Sequence, residues 1–197
     1  MGTSAKRKEF NLVALRHGQR PKFIDLAGGL AKVTITNYVD LRVRRLSEEF
    51  RQPITVQSFI SGWEVEVPVI ASKRLYAPMA VGISKHAKQL LGRDFLTYDD
   101  VKRDDYGFWN FSEMNPSTAE QICKIAIKLS DCLSLTGFSR IDFRVTTDGV
   151  PFVTDISTSP HITEHSSFAC LFKFYGLDTK DLLPTLIALA CEREGWI

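Results

Sequence analysis

The sequence predicts an α+β architecture in which an antiparallel sheet has its helices packed on one side. Two pairs of strand-like segments are each joined by a short turn, which is typical of β-hairpins. The pairs are 54–60 with 64–71, joined by Ser61-Gly62-Trp63, and 139–145 with 150–156, joined by Asp148-Gly149. The clearest helix leads straight into the second pair, so the order differs from the strand–helix alternation of a parallel doubly wound sheet.

Composition allows one compact domain or two small lobes. The 197 residues are 44% hydrophobic and 24% charged, with a net charge of +2. This balance argues against nucleic acid or an anionic membrane as the main partner. The sequence lacks both a long apolar run and the apolar core of a signal peptide, so we expect a cytoplasmic protein and no membrane.

The cysteines support the same location. They are scattered and form no CxxC pair, at Cys123, Cys132, Cys170 and Cys191. Cys123 and Cys132 fall within a helical pattern, so we expect reduced thiols in the core.

The first fifty residues contain a few short elements. We expect a polar, basic tail over 1–10, a short strand over 11–16, an irregular stretch, and a strand over 32–36. Gly28-Gly29 marks either a flexible loop that covers phosphates or a tight turn. A helix is predicted from an Asn37 cap to about Phe50, ending at Gln52-Pro53.

The middle of the chain is harder to interpret. Glu64 and Glu66 fall on one face of a predicted strand, either as a solvent-facing edge or as a ribose or metal contact. Residues 72–116 combine many aromatic side chains with a mixed charge run, and we expect a long surface loop held by those aromatics.

Three helices follow from spacing and caps. The helix over 117–135 has an apolar stripe and a Ser117/Glu120 capping box. A short helix over 167–175 is closed by Gly176. A last helix begins near Asp178 or Thr179, and because Pro184 lies inside it, either the helix starts later or it is kinked.

The hairpin around Asp148-Gly149 carries the most chemistry. A two-residue loop places Asp142 opposite Asp155 and Arg140 opposite Ser157, all on one face. The other face is largely apolar and is predicted to face the core: Ile141, Phe143, Val145, Phe152, Thr154 and Ile156. Directly opposed carboxylates repel, so either a divalent cation lies between them or Arg140 neutralises one of them on an exposed polar face.

The segment 137–166 resembles the C-terminal signature of the ATP-grasp carboxylate–amine ligases, in the D-alanine:D-alanine ligase branch. Eleven ordered positions match: Gly137, Arg140, Asp142, Phe143, Gly149, Asp155, Ser157, Thr158, Pro160, Thr163 and Ser166. A weaker likeness covers 56–64 and the glycines near residue 28. The resemblance implies a partial, truncated lid lobe over 1–52 and a catalytic lobe over 53–197.

The resemblance also implies a role for each site residue. Asp142, Asp155 and Ser157 would hold Mg²⁺, while Arg140 would stabilise charge on the transferring phosphoryl group. Ser166 would position the carboxylate of the second substrate, and His161 would block the dipeptide substrate of the family or recognise a different substrate. The nucleotide-binding positions are Gln57, Ser58, Phe59 and Ile60 for adenine, Glu64 for ribose, and Arg20, Gly28, Gly29 and Lys102 (or Arg103) for the phosphates.

The implied activity joins a small-molecule carboxylate to an amine through an acyl phosphate, with ATP and Mg²⁺ as cofactors. Several positions depart from the family pattern: Asp155 replaces Glu, Ser157 replaces Asn, His161 replaces Gly and Arg20 replaces Lys. We therefore expect a substrate other than D-alanine, or a nucleotide-binding module without ligase activity. The N-terminal substrate domain of the family is not found in this sequence. We therefore expect that the chain is a fragment, that a partner chain supplies the domain, or that the protein has lost part of the chemistry, and a homodimer is left open.

Overall fold

The computed structural model describes residues 10–14, 22–25 and 32–196. The chain forms two compact units. The first contains the described residues up to Phe59 together with Thr97–Asp99, and the second contains Ile60–Leu96 and the residues from Asp100 onward. Within the described ranges, no helix is long and apolar enough to cross a membrane.

The first unit is a three-stranded antiparallel sheet with one long helix. Its elements are β1 (Phe10–Ala14), β2 (Lys22–Asp25), α1 (Lys32–Phe50) and β3 (Thr55–Ser58), with strand order β2-β1-β3. The strand predicted over 32–36 and the cap predicted at Asn37 are wrong, because the helix already begins at Lys32. The β-branched residues there favour strands only weakly, and such a preference is easily overridden.

Strand β3 also corrects the first predicted hairpin. It pairs with β1 and not with the strand that follows it. The turn at Ser61-Gly62-Trp63 is therefore a passage from one sheet to the other. Strand β2 lies in the stretch that we expected to be irregular.

The second unit is built on a six-stranded antiparallel sheet. Its strands are β4 (Trp63–Ala71), β5 (Leu75–Tyr76), β6 (Val81–Lys85), β7 (Tyr106–Asn110), β8 (Gly137–Val145) and β9 (Pro151–Ser157). The order is β7-β6-β4-β8-β9, and β5 pairs with the end of β4. The helices are α3 (Phe111–Met114), α4 (Pro116–Cys132), α5 (Ser167–Phe174) and α6 (Leu182–Glu194), and α2 (Tyr98–Arg103) begins in the first unit and ends in the second.

The long surface loop predicted over 72–116 is wrong. This stretch contributes β5, β6 and β7 to the sheet and contains two short helices. Trp109 packs so closely over Gly82 on the neighbouring strand that a Cβ there would lie 2.2 Å from the indole ring. The aromatics therefore belong to short sheet strands, whose length and mixed charge hide the two-residue period.

The main core lies on one face of the sheet. Val65, Val67 and Val69 of β4 pack with Ile122 and Ala126 of α4, and all are fully buried or nearly so. The alternate residues of β4 point to the other face, since side chains alternate along a strand. At one end of that face α5 and α6 cover Ile70 and Phe138.

The ends of the helices follow from local chemistry. Helix α4 starts at Pro116 with Asn115 as its N-cap, so the predicted Ser117/Glu120 capping box is wrong. Proline favours the first helical position, which moves the start one residue upstream.

The two C-terminal helices agree better with expectation. Helix α5 ends before Gly176, which has a φ of +70°. A 3₁₀ turn over Thr179–Asp181 precedes α6, so Pro184 lies in the first turn of the helix, where its missing N–H costs little. The later start is therefore the correct alternative.

The four cysteines are free thiols. Cys123 is partly buried, and burial raises the pKa of its thiol to about 11. Cys132 is exposed, so the prediction that it lies in the core is wrong. It is the last residue of α4, where the buried stripe ends.

Candidate functional site

The β8–β9 hairpin brings the predicted residues together in the predicted register. Asp142 pairs with Asp155, and Arg140 pairs with Ser157. Because paired residues share a face, all four lie on the face opposite the main core.

The loop that joins the two strands differs from the prediction. Val145 pairs with Pro151, and the Thr146 N–H donates to the Val150 carbonyl at 3.0 Å, so the loop is residues 147–149. Gly149, with a φ of +84°, closes the three-residue turn. A bulge at Thr154 then shifts the register by one residue, so that Asp142 pairs with Asp155 as predicted.

The bulge also corrects the predicted faces of β9. Phe152 pairs with Arg144 and therefore lies on the site face, with 42% of its surface exposed. The prediction of Phe152 and Thr154 as core residues is wrong, since Thr154 is exposed as well. The core positions predicted on β8, Ile141, Phe143 and Val145, are fully buried.

Arg140 and Asp142 form a bidentate ion pair. Arg140 Nε and Nη2 each donate to one carboxylate oxygen of Asp142 at 2.7 Å. The third nitrogen, Nη1, lies 3.3 Å from Glu66 Oε1 on β4. Burial alone would lower the pKa of Arg140, but the bonds to Asp142 and the charge of Glu66 raise it further above its ordinary value. Arg140 is therefore a fixed positive charge between two carboxylates.

Glu66 is the buried member of this cluster. It is paired with Asp142 across β4 and β8, and only 8% of it is exposed. Burial, and then the negative charge of Asp142, raise its pKa to about 8. Strand β4 lies inside the sheet, so the solvent-facing edge considered for Glu64 and Glu66 is wrong.

The cluster has more negative than positive charge. Glu66, Asp142 and Asp155 surround the single guanidinium of Arg140. Burial also raises the pKa of Asp142, although its bonds to Arg140 act in the opposite direction. Such an excess of carboxylates favours a bound cation or a protonated carboxyl group.

The donor set suits Mg²⁺. Asp142, Asp155 and Ser157 offer hard oxygen ligands, and a divalent cation would relieve the repulsion between the carboxylates. Among the described side chains, no three His, Cys, Asp or Glu residues converge as a metal-binding group. The remaining ligands would therefore be water molecules and phosphate oxygens, which usually complete the coordination of Mg²⁺ in proteins.

Arg144 is a functional candidate that the sequence analysis missed. Its Nε donates to the Ile60 carbonyl at 2.9 Å, and its Nη1 donates to Glu64 Oε2 at 3.2 Å. Its Nη2 donates to the carbonyls of Gly92 and Asp94 at 2.9 and 3.2 Å. Residues 140, 142 and 144 alternate along one strand, so parity alone would have placed Arg144 on the site face.

Glu64 lies beside Arg144, on the same face of β4 as Glu66. Burial raises its pKa, and the charge of Arg144 opposes this increase. The Leu96 backbone also bonds to its carboxylate. Glu64 is therefore an acceptor held by two donors.

Ser166 has a clear local role. Its Oγ accepts from the Ala169 N–H at 3.1 Å and donates to the Thr163 carbonyl at 2.6 Å, so it caps α5. The predicted contact of this hydroxyl with a substrate carboxylate would have to compete with both bonds. His161 lies on an exposed stretch nearby.

His165 has polar and aromatic partners. Its ring stacks on Tyr106 with 4.6 Å between centroids and meets Phe108 edge-on. Its Nδ1 pairs with Asp104.

The remaining nucleotide-binding candidates are dispersed over the chain. Arg20, Gly28 and Gly29 lie outside the described residues. Gln57, Ser58 and Phe59 belong to the first unit, whereas Ile60 and Glu64 belong to the second. Lys102 is exposed on α2, and its alternative, Arg103, bonds to Asp105 at 2.8 Å.

An antiparallel sheet with a carboxylate pair and an arginine on one face agrees with what the resemblance to the ATP-grasp ligases implies. The family model described as "D-ala D-ala ligase C-terminus" matches residues 28–188. The chain belongs to this family.

Curated relatives and solved structures agree with the assignment. The D-alanine–D-alanine ligase of Bacillus velezensis is 29% identical over 151 residues, which is 76% of this chain and 41% of that protein. Ligase A of Escherichia coli K12 is 29% identical over 169 residues, 85% of this chain and 44% of that protein. The chain thus spans less than half the length of these relatives.

The fold likeness extends over nearly the whole chain. A Bacillus anthracis D-alanine–D-alanine ligase complexed with ATP matches with a TM-score of 0.63 and 18% identity, covering 95% of this chain and 56% of that one. The VanG D-Ala:D-Ser ligase of Enterococcus faecalis matches with a TM-score of 0.61 and 17% identity, covering 92% and 49%.

Proposed function

We propose that this chain is the ATP-grasp portion of an ATP- and Mg²⁺-dependent carboxylate–amine ligase that acts through an acyl phosphate. The observation that carries the proposal is Asp142 opposite Asp155, with Arg140 bonded to Asp142. Family membership supports the same reaction class. The overall reaction phosphorylates a small-molecule carboxylate, and an amine then displaces phosphate to form a C–N bond.

Each site residue has a part that follows from its chemistry. Asp142, Asp155 and Ser157 would hold Mg²⁺, which supplies charge neutralisation at the phosphates. Arg140 offers fixed N–H donors to the negative charge that develops as the phosphoryl group moves and as the amine attacks. Glu66, which is largely buried, holds Arg140 through its contact with Nη1.

We propose a substrate other than D-alanine. The support is His161, which stands where the family pattern has a glycine and is exposed after the end of β9 in the chain. A side chain there occupies space that the family leaves to its substrate, whereas Ser166 is already engaged as a helix cap.

A nucleotide-binding module without ligase activity is the second candidate. The observation that favours it is that Arg140 engages both carboxylate oxygens of Asp142. A cation at Asp142 has to compete with these bonds, and Ser157 is a weaker neutral ligand than the Asn of the family.

Substitution of Asp142 tests the metal site. For the native chain we expect ATP to raise the melting temperature more with Mg²⁺ than without it, because a ligand that binds only the folded state stabilises that state. Asp142→Asn should abolish the Mg²⁺ dependence, since it removes one of the two facing carboxylates. The measurement is a thermal shift with ATP alone, Mg²⁺ alone and both.

Asp131→Asn, on the exposed side of α4, is the matched control and should behave as the native chain does. Absence of any ATP effect on the native chain would contradict both candidate functions. ADP release across a panel of carboxylates and amines distinguishes the ligase from the binding module.

A further inference from the structure

We propose that Arg144 is a positioning residue of the nucleotide site, which fixes the Glu64 carboxylate so that the site selects a ribonucleotide over its 2′-deoxy analogue. This inference rests on the proposed function, because Glu64 meets a ribose only if the chain binds ATP there. It adds a residue that the family signature in this sequence does not contain.

Arg144 connects parts of the second unit that are far apart in sequence. Its acceptors are the Ile60 and Gly92 carbonyls, the Asp94 carbonyl and the Glu64 carboxylate, which lie 84, 52, 50 and 80 residues away. One guanidinium therefore holds the end of the predicted adenine-binding segment and the predicted ribose acceptor in a single arrangement.

The surroundings of Arg144 are already fixed. Gly62 and Gly92 exchange two backbone hydrogen bonds of 3.0 Å, which ties the β3–β4 connection to the 92–94 turn. Arg144 binds the carbonyls of this turn from within the sheet. The anchor of Glu64 is therefore rigid and is not a mobile surface arginine.

Burial shows which partner faces the ligand. The side chain of Arg144 is 8% exposed, whereas that of Glu64 is 26% exposed. Arg144 thus lies behind the carboxylate, and Glu64 presents its accessible part outward. The donors of Arg144 are directed to protein acceptors, so a direct phosphate contact would break bonds that hold the site together.

A fixed acceptor is what discrimination between the two sugars requires. A free Glu side chain can turn to water when its hydroxyl partner is missing. A carboxylate held by Arg144 and by the Leu96 backbone cannot adjust in this way, so an analogue without the 2′-hydroxyl leaves it poorly paired. A site built around a hydroxyl rejects an analogue that lacks it for this reason.

The test compares ATP with 2′-deoxy-ATP on the full chain at saturating Mg²⁺, by isothermal titration calorimetry. For the native chain we expect at least about tenfold tighter binding of ATP. Arg144→Met keeps the length of the side chain but removes its donors, and the ratio should fall to within about twofold of one, mainly through weaker ATP binding. Glu64→Gln should lower the ratio as well, and Arg144→Met should add little in the double variant.

Arg144→Lys separates geometry from charge, since it keeps the charge but cannot reach four acceptors. Arg144→Lys should lose most of the preference for ATP over 2′-deoxy-ATP. If circular dichroism shows that Arg144→Met does not fold, Arg144→Lys replaces it in the test. A native-like ratio in a folded Arg144 variant overturns the inference while leaving ATP binding intact. A native chain that does not discriminate between the sugars also overturns it, whereas a native chain that binds no ATP refutes the proposed function itself.

Discussion

At the scale of single residues, the site has one arginine for several carboxylates. Arg140 forms two hydrogen bonds with Asp142 and lies in one close contact with Glu66. Glu66 is therefore a buried carboxyl group with a partly shared countercharge, and its ionisation is costly for the folded state.

Glu66→Gln should change how stability depends on pH. The pKa of Glu66 is raised from 4.5 to about 8, so between these values the folded state holds a proton that the unfolded state releases. Native stability should thus fall as pH rises through this window. Glutamine cannot ionise, so the variant should not lose this stability. The free energy of unfolding of the variant minus that of the native protein should increase by on the order of 1–3 kcal/mol between pH 5 and pH 8.

The measurement is urea denaturation at pH 5, 6.5 and 8 without added metal. The exposed Glu164→Gln should run parallel to the native protein over the same range. A Glu66→Gln curve that is also parallel would contradict the assigned pKa shift.

At the scale of elements, local patterns predicted most of the second unit. The apolar stripe of α4, the end of α5, and the strands on both sides of the β8–β9 turn follow from spacing and from residues such as Gly176. Pairing partners did not follow in the same way. Strand β3 joins β1, and the aromatic segment 72–116 joins the sheet, because both depend on contacts distant in sequence.

The site was predictable to the extent that strand parity fixes it. The alternation of side chains along a strand placed Asp142, Asp155, Arg140 and Ser157 on one face. The same alternation places Arg144 on that face, but Arg144 matches no position of the family signature and was therefore not considered. The role of Glu66 could not be predicted, since it depends on β4 lying beside β8 inside the sheet.

Gly62→Ala should destabilise the protein far more than Gly195→Ala. Both glycines have positive φ values, +153° and +73°, so each substitution strains the backbone. At Gly62 a Cβ would also lie 1.8 Å from the Val145 carbonyl oxygen, whereas at Gly195 no atom lies within 4 Å. We expect a difference of at least about 2 kcal/mol in the free energy of unfolding, measured by urea denaturation; equal losses would show that the sheet connection is not closely packed.

At the scale of the whole molecule, the described core is concentrated in the second unit. Its largest cluster joins β4, β8, α3 and α4 around Val65, Phe111, Ile122 and Phe143. The site face is the reverse side of the same two strands, so core packing and site geometry share one support.

Ile122→Ala should therefore affect both stability and the site. Ile122 is fully buried, and its truncation should cost about 2–5 kcal/mol. Ile187→Ala on α6, where the side chain is 55% exposed, should cost less than about 1 kcal/mol. Trp63 and Trp109 pack against this core, so their fluorescence during denaturation reports the loss; similar costs for the two variants would contradict the core assignment.

Membership of the family supports the proposed reaction class but does not identify the substrates. The chain spans less than half the length of the curated relatives named above, and two of the positions that depart from the signature, Ser157 and His161, are assigned to the proposed site. Assays of substrate choice should therefore begin with variants of these two residues.

The bulge at Thr154 has a consequence for the β8–β9 hairpin. The residues between Asp142 and Asp155 can be paired in two ways. The structure has a three-residue loop and leaves Thr154 without a partner residue on β8, whereas a two-residue loop would give continuous pairing of the two strands. Both pairings use the same number of residues and leave Asp142 facing Asp155, but they place Phe152 on opposite faces of the sheet. The face on which Phe152 lies is thus set by the bulge and not by the pairing of the two aspartates.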